Sequence, residues 1–80
     1  MNIGLTQRIF YYNDMAYDCL EHGWQQLLGG HTLTSIANNP EQDFTKLVKD
    51  LDFIIFTGGD ASPPRLTTEI RLLTECYKQN

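Results

Sequence analysis

The stretch Ile54–Arg65, IIFTGGDASPPR, is where the chain's chemistry concentrates. An apolar run breaks into Gly58 and Gly59, followed by Asp60, two prolines and Arg65. Glycines let backbone N–H groups approach a ligand closely, and a bend at the carboxyl end of a buried strand sits where open α/β sheets bind their ligands. The chemistry served best by such donors is acyl transfer, in which negative charge builds on a carbonyl oxygen and each backbone N–H is worth about 3–4 kcal/mol. The same four residues, Thr-Gly-Gly-Asp, also suit a plain turn that needs a positive φ before a proline-stiffened loop. Asp60 and Arg65 are either a solvated pair or groups that order the loop and hold substrate, and Arg65 can also pair with Glu69 one helical turn on.

Other reactive side chains are scattered. Cys19 and Cys76 read as small buried hydrophobes on helices rather than as a disulfide, and His22 and His31 have no Cys or His at ligand spacing, so no metal or cofactor is expected. Cys76 falls on an inward helical stripe with no cation to lower its thiol pKa, which argues against a nucleophile. Gln7 and Arg8 follow the first strand and either line the same cleft or start a loop. Trp24 reads as core, and Tyr11 and Tyr12 as loop aromatics without an assigned role.

The elements that must position these groups read as a βαβαβα chain. Ile3, Leu5 and Thr6 mark a first strand. Ala16, Leu20, Trp24, Leu27 and Leu28 recur at helical spacing, with Asn13 or Asp14 as cap and Gly29-Gly30 as the stop. HTLTSIA gives a second strand. Asn39 and Pro40 start a short helix that turns Phe44, Leu47 and Val48 inward, with Glu41 and Asp43 near its positive end. LDFIIF is the third strand, apolar enough to be covered on both faces. A last helix, capped by Thr67 or Thr68 with Glu69 in its first turn, places Ile70, Leu73, Cys76 and Tyr77 on one face. This order implies right-handed crossovers and a parallel sheet with an apolar edge open on at least one side.

The chain has 80 residues, enough for one small domain with a thin core. Ten acidic against six basic residues give a net charge of −4, which excludes the electrostatic footprint of a nucleic-acid or anionic-membrane binder. The longest apolar run, Phe53–Phe56, is far short of the ~20 residues of a membrane span, and the first residues lack a secretory pattern, so a cytoplasmic protein is expected.

GLTQR near the start, YDCLEHGWQQLL, GHTL, LDFIIFTGGD and the Arg65–Glu69 spacing together resemble the N-terminal part of class I glutamine amidotransferase-like proteins. The similarity runs over essentially all of residues 1–80 and points to the γ-glutamyl hydrolase (peptidase C26) branch. Within it the chain is similar to γ-glutamyl-γ-aminobutyrate hydrolases and to γ-glutamyl amide hydrolases of surface-polysaccharide gene clusters. The resemblance implies a three-layer, flavodoxin-like parallel sheet of which only the first three βα units are present. It implies that Gly58 and Gly59 belong to the oxyanion hole, and that Gln7, Arg8, Asp60 and Arg65 border a γ-glutamyl substrate. The ASPPR continuation departs from the family's usual aspartate, valine and proline spacing. TECYKQN matches the helix before the nucleophile strand, so the half with the catalytic cysteine, histidine and glutamate is expected outside this chain, which alone is inactive. The residues by themselves also allow a non-enzymatic α/β interaction module that pairs through the third strand, with a copy of itself or a companion chain.

Overall fold

The computed structural model describes residues 1–58 and 62–79. In chain order the elements are β1 (Asn2–Thr6), β2 (Arg8–Tyr12), β3 (Met15–Cys19), α1 (Gly23–Leu27), β4 (Thr32–Ile36), α2 (Phe44–Lys49), β5 (Phe53–Ile55) and α3 (Pro63–Gln79). The three expected strands form one parallel sheet in the order β4-β1-β5, and β2 and β3 form a separate antiparallel hairpin. The chain is therefore mixed α/β.

Side chains alternate across a strand, so the register sorts the sheet into two faces. Ile3 stands beside Leu33 and Phe53, and Leu5 beside Ser35 and Ile55; Gly4 stands beside Thr34 and Ile54 on the other face. That second face carries the core of Ile36, Phe44 and Leu72, with Leu47, Val48, Leu51 and Ile54 packed against it. Gly4 leaves room for that packing: a Cβ would lie 2.5 Å from Leu51 Cδ1 and 3.0 Å from Ile36 Cδ1, so both chain ends would have to move.

Four expectations are corrected. The long first helix does not form: Ala16 lies in β3, Asn13 and Asp14 make the hairpin turn with φ of 50° and 62°, and only the five residues of α1 are helical. Two successive residues with positive φ are what a two-residue hairpin turn needs, Asn and Asp tolerate that region, and the flanking RIFYY is rich in strand formers. Cys19 accordingly sits on β3, and Tyr11 and Tyr12 sit on β2. Gly29 and Gly30 follow α1 without a positive φ; the helix closes at Leu28, whose N–H donates to the Trp24 carbonyl.

The second helix begins later than Asn39-Pro40. Asn39 instead makes a local turn, its Oδ1 accepting from the Glu41 N–H, and Asp43 caps α2 by accepting from the Lys46 N–H. The third helix begins at Pro63, where a missing N–H costs nothing, and not at Thr67 or Thr68. Its inward face also differs: Arg65, Thr68 and Leu72 are buried, whereas Ile70, Leu73 and Tyr77 face outward.

The hairpin turn yields a direct expectation. Asp14→Gly relieves the left-handed conformation at the second turn position and should stabilise the hairpin by about 0.5 kcal/mol. Slower amide exchange across the Phe10–Tyr17 pair is the readout, and unchanged exchange would contradict the turn assignment.

Candidate functional site

The carboxyl ends of β1 and β5 meet through side chains. Thr6, the last residue of β1, is fully buried and its Oγ1 accepts from the Thr57 N–H at 2.9 Å. Thr57 Oγ1 donates in return to the Thr6 carbonyl, also at 2.9 Å. These bonds carry the β1–β5 pairing past the last strand residue and deliver Gly58 to the sheet's carboxyl edge. Thr6→Val removes the acceptor and leaves the Thr57 N–H unpaired, a loss of about 1–3 kcal/mol. Thr6→Ser keeps the oxygen and should recover most of it in a urea titration.

Gly58 has φ of +76°, a conformation that favours glycine, and a Cβ built there would meet nothing within 4 Å. Among the described residues its N–H has no acceptor, while its carbonyl accepts from Arg65 Nη2. Arg65 is buried at the start of α3 and forms an ion pair with Glu69, Nη2 to Oε1 3.0 Å. The structure thus brings together two of the residues singled out from sequence, Gly58 and Arg65, with Glu69 behind them. Gly59 and Asp60 lie outside the described residues.

Gln7 and Arg8 are engaged on the β4 side. Gln7 Nε2 donates to the Ile36 carbonyl at 3.0 Å, and the Gln7 carbonyl accepts from Asn38 Nδ2 at 3.1 Å. Asn38 in turn donates its Nδ2 to Asp18 Oδ1 (3.1 Å) and its backbone N–H to Asp18 Oδ2 (3.0 Å), which ties the hairpin to the end of β4. Arg8 is exposed and pairs with Glu21. Both residues therefore fasten the hairpin and strand ends together. Sequence reading missed Thr6, Thr57, Asn38 and Asp18; the only signal for the threonine pair was a β-branched residue at the end of each strand.

Among the described residues the edge offers a hydrogen-bond donor and no attacking group. Cys76 lies on α3 about 17 Å along the helix axis from Arg65, at 1.5 Å per residue, in a groove with Val48, Phe53 and Leu73. Cys19 lies opposite Arg8 in the hairpin, and both thiols are free and half-buried. His31 Nδ1 is 3.4 Å from the amino terminus. Among the described residues no three His, Cys, Asp or Glu side chains gather to hold a metal, and no helix is long and apolar enough to cross a membrane. Comparisons with models of protein families, with curated proteins and with solved structures give no match to this chain.

Proposed function

We propose that this chain is the N-terminal half of a flavodoxin-like, class I glutamine amidotransferase-like domain that cleaves γ-glutamyl amides. Gly58 and Gly59 contribute one side of the oxyanion hole, and a cysteine, histidine and glutamate outside the chain carry out the covalent steps. The observation that carries this reading is the Gly58 amide, which follows β5 in a left-handed conformation with no acceptor among the described residues. The strand order supports it as well, since β1 lies between β4 and β5 as a flavodoxin-like sheet requires.

In this reading a thiolate adds to the γ-carbonyl of the substrate, and the oxygen's developing charge is taken up by backbone N–H groups. The missing donor comes from the residue after the nucleophile. Arg65 is a positioning residue: it holds the Gly58 carbonyl so that the bend keeps its shape. Gln7 and Arg8 shape the neighbouring wall through Ile36 and Glu21.

Hydrolysis of γ-glutamyl-p-nitroanilide tests the proposal. The purified chain should release no p-nitroaniline, and a segment carrying an apolar strand and Gly-x-Cys-x-Gly, encoded downstream of Asn80 or on a companion chain, should restore release. In that assembly Gly58→Ala keeps the N–H but strains its φ of +76°, and should lower kcat by about tenfold as the donor is re-aimed. Hydrolysis by the chain alone that survives replacement of both Cys19 and Cys76 would contradict the mechanism, as would a downstream frame and neighbouring genes without the nucleophile segment. The outer edge of β5, which no strand among the described residues covers, favours a second reading, a non-enzymatic module that pairs through that strand.

A further inference from the structure

The largest apolar side chains of α3 do not enter the core. Leu66, Ile70, Leu73 and Tyr77 are each at least 46% exposed, and at 100° per residue they fall within about 60° of one another. The flank of the helix that faces α2 is a different one: Glu75 and Gln79 hydrogen-bond to Thr45, and Arg71 donates to the Pro40 carbonyl and lies over the Phe44 ring. The stripe therefore points away from α2, and its Leu73 reaches the groove at the outer edge of the sheet. There β5 has β1 on one side and, among the described residues, no strand on the other. Phe53 and Phe56 are 58% and 41% exposed, and with Leu73 and Cys76 they line a groove of about 560 Å³.

We infer that this edge is an interface between two copies of the chain, related by a two-fold axis that pairs β5 antiparallel with β5 of the partner and packs the two α3 stripes together. Area supports a second copy. Six side chains of this size, each about half open, offer roughly 500 Å² per copy before any strand backbone is counted, against the ~800 Å² per partner of a standard interface. Charge supports it too. Two copies of a −4 chain repel least where they meet along a face whose own charges nearly balance. On this face the charges are few and nearly balanced: Thr67 and Thr74 flank the stripe, Glu69 pairs with Arg65, and the groove adds one acid, Asp52, and one base, Lys49. Residues 53–56 also hold no lysine or proline, the usual guards of an edge strand. A two-fold contact of this kind closes on itself and does not propagate into a fibre. Any further strand supplied to this edge would compete with the partner copy for it.

Light scattering on the purified chain should give twice its 9.2 kDa mass. Ile70→Glu and Leu73→Glu change exposed positions, so circular dichroism should stay the same while each weakens the dimer about tenfold or more. Both should also speed amide exchange across residues 53–56, and Leu27→Glu on α1 should do neither. A mass of 9.2 kDa at every concentration would overturn the proposal. So would a dimer that resists both α3 changes and dissociates on Phe10→Ser with Tyr12→Ser, which would assign the contact to the hairpin. These readouts are of mass and exchange, and they are independent of γ-glutamyl hydrolysis.

Discussion

Leu72→Ala is expected to abolish cooperative unfolding or to bring its urea midpoint close to zero. Leu72 is fully buried and, with Ile36 and Phe44, forms the cluster that fastens α2 and α3 to the sheet. Truncating such a leucine costs about 2–5 kcal/mol, because the cavity left behind adds to the lost transfer energy. A chain of this length has a total stability of about 4–12 kcal/mol at the usual 0.05–0.15 kcal/mol per residue, so one side chain represents a large part of it. The packing leaves little room for compensation. Phe44 comes from a six-residue helix, and Ile36 is the last residue of an edge strand. Leu27→Ala is the matching control: Leu27 is 74% exposed, and its loss should move stability by less than about 0.5 kcal/mol. A midpoint unchanged by Leu72→Ala would mean that the cluster is not what holds the helices in place.

The parallel sheet was legible because its strands carry short runs of β-branched and apolar residues between glycine and proline punctuation, and the bend at Gly58 was legible because apolar residues stop there abruptly. The Arg65–Glu69 pair followed from spacing alone. The hairpin was hidden by a coincidence of periods. Ala16, Leu20, Trp24, Leu27 and Leu28 repeat as a helix would, yet the decisive residues were Asn13 and Asp14, whose side chains tolerate positive φ between two strand-forming segments. The phase of α3 was misread for a different reason. Periodicity finds the stripe of largest apolar residues and assumes that it is buried, but a three-stranded sheet is too narrow to cover every side of a 17-residue helix. The buried face was taken by Leu72, Thr68 and the stem of Arg65. Gln7 and Arg8 were placed near the cleft by their position after β1, and sequence has no means of seeing that Ile36 and Glu21 already occupy their polar ends.

Arg65→Met should cost about 3 kcal/mol and loosen the β5–α3 loop, the second largest effect expected in the chain. Arg65 is 3% exposed, the Glu69 side chain beside it 27%, and the guanidinium also donates to the Gly58 carbonyl. Methionine keeps much of the volume of the stem, so the loss is electrostatic: a largely buried carboxylate is left without its cation, and a carbonyl without its donor. Arg65→Lys restores charge but not the planar guanidinium whose Nη2 meets both the Gly58 carbonyl and Glu69 Oε1, and should recover only part of the stability. Arg8 and Glu21, with side chains 54% and 58% exposed, provide the contrast. That pair is worth about 0–1 kcal/mol, and added salt should weaken it while leaving the Arg65 contribution nearly intact. The loop effect separates stability from function. If Arg65 is what aims the bend, Arg65→Met and Arg65→Lys should both shift the Gly58 amide resonance, and in an assembly that hydrolyses a γ-glutamyl amide both should lower kcat more than they raise KM. Equal loss of stability with an unaltered Gly58 amide would leave Arg65 as a packing residue and remove it from the site.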